Sequence, residues 1–286
     1  NARFVVVQDI SSNADTLAFA DVVLPAAGWL EKCGTMTNSE RRVAYLPKLI
    51  EPPGEALPDF RILCNFAEAM GWGHAFDYTD EAAVFAEHVA LTKGTPIDMS
   101  GLSHDRLATQ GSIQWPCPTS DHESTARLFT DGRFAPRDGR AQLHGIHAEP
   151  RSEKEGRRFP LTLTTGRIRD QWHTMTRTGK VSNLRLHESV PYVEIHPDDA
   201  SARKIANGQP IRVESPTGTF QGEARITEAV AHGTVFAPMH WGRTNSGVLA
   251  RANNLTSTRI DPISKQPDYK FSRDQVSALH SEFRDV

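Results

Sequence analysis

Cysteine is scarce in this sequence: three residues in 286, at Cys33, Cys64 and Cys117. They lie far apart and form no Cys-x-x-Cys pair, so the sequence offers no zinc or iron–sulfur ligand set of its own. An odd, sparse count fits a reducing compartment better than a disulfide framework, and each cysteine reads as an unreactive side chain. Long apolar runs are missing as well. No stretch approaches ~18 consecutive apolar residues, and Asn1-Ala2-Arg3-Phe4 has neither the charged nor the apolar region of a signal peptide, so a soluble, cytoplasmic protein with no membrane partner is expected. Basic excess is absent too: 32 Lys and Arg against 35 Asp and Glu give a formal charge of -3. Nucleic acid is therefore not an expected partner, and any cationic site has to be local. An initiator methionine is also lacking, and Phe4-Val5-Val6-Val7 already reads as a buried strand, which suggests the C-terminal side of something larger.

What is present begins with a strand–helix–strand rhythm. Phe4–Val7 leads into the polar turn 8–13, then a short helix over Ala14–Ala20 and a second strand over Asp21–Leu24 stopped by Pro25. That order predicts a parallel sheet, whose ligands gather at the carboxyl ends of its strands, where Gln8 and Asp9 fall. Trp29–Arg42, ending in Arg41-Arg42, reads as a surface loop bracing a neighbouring domain through Glu–Arg pairs, with direct ligand contact as the alternative. Pro58–Met70 predicts a helix with Phe60, Leu63, Ala67 and Met70 at helical spacing. A second helix, capped by Thr79 or Asp80, carries Val84, Phe85, His88 and Leu91 on one face, which makes His88 a core histidine rather than a metal ligand. From Thr95 to about Arg158, prolines and glycines replace periodicity, as in a crossover wrapped over the surface.

The remainder is mostly β. Strands are predicted over Phe159–Thr165, Tyr192–Ile195, Pro210–Glu214, Thr219–Thr227 and Thr234–Ala237, with Pro216-Thr217-Gly218 as a hairpin turn. Pro197–Ile205 is a short helix, with proline and acids in its first turn and Asn207-Gly208 as its stop. Short strands, one small helix and many turns predict a closed barrel, giving the fold class α/β followed by mainly β.

The chemistry concentrates in Leu163–Thr176, where an apolar strand turns abruptly into Gly166, Arg167, Arg169, Trp172 and His173. Arginine forks onto phosphate or carboxylate oxygens, an indole offers a flat face to a ring, and glycine admits close backbone approach. An exposed polar loop after a strand would show the same spacing. Later, His240-Trp241-Gly242, Asn253-Asn254-Leu255-Thr256 and Gln266-Pro267-Asp268-Tyr269-Lys270 add polar groups; the paired asparagines suit heterocycle edges better than a metal.

These pieces combine into a recognisable pattern. Ala20–Ala27 with Glu31-Lys32, Gly34-Thr35 and Asn38–Arg42 resembles the third quarter of molybdopterin oxidoreductases of the dimethyl-sulfoxide-reductase family. Thr165-Gly166-Arg167 with Gln171-Trp172-His173-Thr174, Ile195–Ala200, and Asn254-Leu255-Thr256 with Pro267–Lys270 resemble the terminal domain of the same enzymes. Within the family, Trp172–Lys180, Gln114-Trp115-Pro116 and Asp138–Ala141 look most like bacterial assimilatory nitrate reductases. The resemblance implies the C-terminal portion of an α/β molybdopterin oxidoreductase domain over 1–100, a crossover linker over 101–156 and a dinucleotide-binding double-psi β-barrel over 157–286. It implies molybdenum held by two molybdopterin guanine dinucleotides and an iron–sulfur cluster outside this sequence. Nitrate is the implied substrate, with ferredoxin, flavodoxin or an NADH-linked reductase as electron donor. By the same resemblance Thr165, Gly166, Arg167, Gln171, Trp172, His173, Thr174, Asn254, Tyr269 and Lys270 contact a pterin dinucleotide, and Gln8 and Asp9 face a guanine.

Departures matter too. The family's iron–sulfur cysteines and the residue that ligates molybdenum have no counterpart here, and Cys33 falls where the family carries no such ligand. No catalytic or metal-binding residue is assigned, and the chain alone is expected to turn over nothing. Formate oxidation within the same family, or a relative serving as a cofactor-free scaffold, remain the alternatives.

Overall fold

A computed structural model of the chain describes residues 2–145 and 153–279. They gather into two compact units, one from Asn1–Ser12 and Phe19–His147 and the other from Asn13–Ala18 and Ala148–Val286.

The first unit opens with β1 (Val6–Asp9) and β2 (Val22–Pro25), paired in parallel with Val6 opposite Val22 and Asp9 opposite Pro25. The pairing starts later than Phe4 because the Asp21 carboxylate accepts the Val5 N–H at 2.7 Å and closes the ladder there. The connection holds a five-residue 3₁₀ turn, Asp15–Phe19, where a short α-helix was expected.

Trp29–Arg42 is not simply a loop. It contains β3 (Gly34–Thr37) and enters β4 (Arg42–Leu46), and the two form an antiparallel hairpin. The Asn38 amide oxygen builds its turn by accepting the N–H groups of Glu40 and Arg42, both at 3.0 Å, and Arg41 sits at φ 67°. The paired arginines brace this unit itself. Arg41 donates to the carbonyls of Trp115, Thr125 and Ala126 with its guanidinium over the Trp115 ring, while Arg42 donates to that of Ser112.

Next come α1 (Asp59–Ala69) and α2 (Glu81–Leu91), the latter capped by Asp80, which accepts the Ala83 N–H. Phe85 and Val89 form the buried face of α2; His88 is exposed beside Phe85, so the expectation of a core histidine fails by about one position around the helix. The stretch expected as a crossover contributes α3 (His104–Gln110) and β5 (Ile113–Gln114), which adds to β4 as a third strand. Leu102, Leu107, Ile113 and Cys117 from this stretch join Val43, Phe85 and Val89 in one core.

The second unit contains α4 (Glu153–Arg158), β6 (Leu161–Gly166), α5 (Ser182–His187), β7 (Tyr192–Ile195), α6 (Pro197–Ala202), β8 (Pro210–Glu214), β9 (Thr219–Ile226), β10 (Thr234–Pro238) and β11 (Ser272–Ala278). Six strands close into a barrel in the order β10-β6-β11-β8-β9-β7. The β6–β10 and β7–β9 pairs are parallel and the other four antiparallel, which is the closed barrel the resemblance implied. Alternation at Leu161, Leu163 and Thr165 turns every second residue of β6 inward, where Val193, Ile195, Ile211, Val213, Phe220 and Val235 complete a dry interior. β11 escaped the sequence reading because two of its inward positions are Ser272 and Asp274.

Candidate functional site: the loop leaving β6

The inward alternation of β6 ends at Thr165, which is 3% exposed. Its hydroxyl donates to the Tyr269 carbonyl at 2.8 Å, and the Lys270 ammonium donates back to the Thr165 carbonyl. Residues 104 positions apart thus meet at the strand end. Gly166 follows in a confined place: a Cβ there would lie 2.9 Å from the Phe236 ring and 3.7 Å from the Lys270 nitrogen. An ammonium has three donors, and one of those on Lys270 is spent on Thr165.

Arg167 then leaves the barrel, and its guanidinium lies over the Trp172 indole, 4.8 Å from the ring centroid. It is exposed and has no carboxylate partner among the described residues. Trp172 is 49% exposed and meets His173 edge-on at 4.6 Å. Thr174 is exposed beside them. Arg169, by contrast, turns to Asp170 at 3.1 Å, and His187 holds the same carboxylate at 2.8 Å. The hydrogen bonds from Arg169 and His187 keep the Asp170 carboxyl below its usual range.

Gln171 is 4% exposed and commits both ends of its amide within the loop: the nitrogen donates to Leu184 at 2.9 Å and the oxygen accepts the Thr178 hydroxyl at 2.6 Å. It ties the loop to α5 rather than offering a free amide. Asn254 is held on the barrel by two donations, to Thr219 at 3.1 Å and Val248 at 2.9 Å. Beside the loop lies a cavity of about 260 Å³ lined by Met175, Ser182, Arg185, Glu188, Trp241 and Asn245.

One residue here was legible in the sequence only as one polar group among several. His240 follows β10 and is completely buried; its Nε2 accepts the Ile168 N–H at 3.0 Å and its Nδ1–H donates to the His173 carbonyl. Burial holds its pKa below the ordinary imidazole value, so the ring is neutral.

Gln8 and Asp9 belong to the first unit. The Gln8 amide donates to Asp59 at 2.6 Å, and Lys32 donates to the same carboxylate. Burial raises the Asp59 pKa, and the bonds from Lys32 and Gln8 outweigh it, leaving the group below its usual range. Asp9 accepts the Ser11 N–H at 2.8 Å. Among the described residues no cluster of three or more His, Cys, Asp or Glu side chains is arranged to hold a metal ion.

The barrel residues 161–272 match the family model described as the molydopterin dinucleotide binding domain, and residues 1–69 match that of molybdopterin oxidoreductase. The chain belongs to the molybdopterin oxidoreductase family. A nitrate reductase of Synechocystis sp. is 42% identical over 94% of the chain and 38% of that relative. An F420-dependent formate dehydrogenase subunit alpha of Methanocaldococcus jannaschii is 41% identical over 93% of the chain and 38% of the relative. The assimilatory nitrate reductase catalytic subunit of Bacillus subtilis is 38% identical over 90% and 36%. The chain therefore spans well under half the length of these relatives. Among solved structures, acetylene hydratase from Pelobacter acetylenicus shares the fold, with a TM-score of 0.68, 18% identity and coverage of 97% of this chain and 40% of that one.

Membership brings a molybdopterin cofactor, and the donor set at the loop suits one. An unpaired guanidinium over an open indole, with an ammonium at the preceding strand end, matches a ring system joined to a pyrophosphate.

Proposed function

We propose that the chain is the C-terminal cofactor-binding portion of a molybdenum-dependent nitrate reductase that reduces nitrate to nitrite by oxygen-atom transfer. The observation that carries this reading is the exposed Arg167–Trp172 stack, a cation with no carboxylate of its own. Held here, the molybdenum bis(molybdopterin guanine dinucleotide) group supplies the two-electron chemistry, and these residues bind and orient it. Arg167 and Lys270 neutralise the pyrophosphate, and Trp172 covers a ring. Gly166 leaves room for backbone approach, and Thr165 fixes the Tyr269–Lys270 segment through its hydroxyl. His173, Thr174 and Asn254 supply further contacts, and Gln171 sets the loop's shape. In the first unit Gln8 and Asp9 face the guanine end of a dinucleotide. An iron–sulfur cluster outside these residues would supply the electrons, with ferredoxin, flavodoxin or an NADH-linked reductase as the donor. Three free cysteines fit a reducing compartment, and we place the protein in the cytoplasm; no helix among the described residues is long and apolar enough to cross a membrane.

Formate oxidation is the second reading, favoured by a formate dehydrogenase relative at 41% identity beside a nitrate reductase at 42%. The full-length protein decides. It is expected to contain molybdenum and guanine nucleotide and to oxidise reduced viologen with nitrate. Reduction of oxidised viologen by formate, with no response to nitrate, would move it to the second reading. Protein purified without molybdenum or guanine nucleotide would make it a scaffold.

A further inference from the structure

We infer that His240 is a positioning residue, a two-ended clamp that sets the conformation in which Arg167, Trp172 and His173 meet the dinucleotide. The inference rests on the reading above. β6 and β10 run parallel with Gly166 opposite Pro238, so the Arg167–Met175 loop and the segment carrying His240 leave the barrel at the same end. The imidazole fills the space between them. It takes the Ile168 N–H on one nitrogen and gives its proton to the His173 carbonyl from the other. Each anchored point directly follows one member of the stacked pair, Ile168 after Arg167 and His173 after Trp172.

The loop needs such a clamp. His173 at φ 44° and Met175 at φ 61° are non-glycine residues in the left-handed region, a conformation that has to be held by bonds elsewhere. Gln171 fixes the far side of the loop through Leu184 and Thr178, and His240 fixes the barrel side. Since one nitrogen must accept and the other donate, only the neutral Nδ1–H tautomer satisfies both bonds.

The two bonds can be removed separately. In H240N the amide nitrogen lies near the position of Nδ1 and keeps the His173 bond. In H240Q the amide oxygen lies near the position of Nε2 and keeps only the Ile168 bond. With the 286-residue chain and GDP as the probe for the guanosine-pyrophosphate end, calorimetry is expected to show wild-type binding and about a tenfold weaker Kd in both H240N and H240Q, since each variant opens one end of the clamp. Equal affinity in all three would overturn the clamp. Absence of wild-type GDP binding would instead overturn the dinucleotide reading beneath it. Should a variant fail to fold, ¹⁵N imidazole spectra of the wild type decide: an Nδ1–H ring whose resonance moves on GDP addition is expected. An Nε2–H ring, or one blind to GDP, overturns the proposal.

Discussion

Asp274 shows how much one side chain costs when it is buried without a partner. It points into the barrel from β11, fully buried, and neither carboxylate oxygen has a hydrogen-bond partner. Burial pushes its pKa up to about 8, with Arg203 and Arg273 opposing, so the folded protein holds this proton at neutral pH while the unfolded chain releases it near the ordinary carboxylate value. The folded state thus binds the extra proton, and stability falls as pH rises from about 4 to about 8. Replacement by asparagine removes that titration. Urea midpoints of Asp274→Asn and wild type, measured from pH 4 to 9, are expected to diverge in favour of the variant as pH rises, by on the order of a few kcal/mol at the alkaline end. Parallel curves would show that the carboxyl is ionised in the folded protein.

At the level of elements, legibility followed hydrophobic alternation. β7 and β8 fall where Tyr192–Ile195 and Pro210–Glu214 predict them, because β8 alternates outward and buried residues and β7 is a short apolar run broken only by Glu194. β3 was hidden by its glycine and threonines and β11 by its inward serine and aspartate, while β4, mostly apolar over Arg42-Val43-Ala44-Tyr45-Leu46, starts inside a stretch read as a loop. Structure in the 101–127 stretch was invisible for a different reason: its anchors are backbone carbonyls, which a sequence does not display. Arg106 on α3 donates to the carbonyls of Gly101, Thr119 and His122, which lie on both sides of β5. A methionine there keeps the stem and removes every donor. Arg106→Met is expected to lower the unfolding free energy by about 2 kcal/mol, because partly buried carbonyls lose a charged donor. Hydrogen exchange of the amides around Cys117 checks the location of the loss, which should be local to this stretch.

For the whole molecule, a net charge of -3 gives no long-range attraction for an anionic cofactor, so recognition rests on a few cations left without partners. Several other arginines in the second unit are spent: Arg225 grips Glu188 at 2.6 Å, Arg203 reaches Asp199 at 3.4 Å, and Arg251 holds Asp15 at 3.0 Å. Arg167 is exposed and has only an indole beneath it. The spacing of residues named Arg167, Arg169 and Trp172 together, and only the family resemblance singled out Arg167 from Arg169, whose partner Asp170 is also its neighbour. That difference predicts a dissociation between binding and stability. Arg167→Ala should weaken GDP binding at least about tenfold while leaving the unfolding midpoint within about 0.5 kcal/mol of wild type, as for a surface cation in no network. Gln171→Ala should do the reverse in part, since it strands the Leu184 carbonyl and the Thr178 hydroxyl and loosens the loop whether or not ligand is present. Calorimetric binding and urea unfolding on the same two variants separate the roles: if Arg167→Ala binds GDP as tightly as wild type, the loop leaving β6 is structural polarity and its cation serves no dinucleotide.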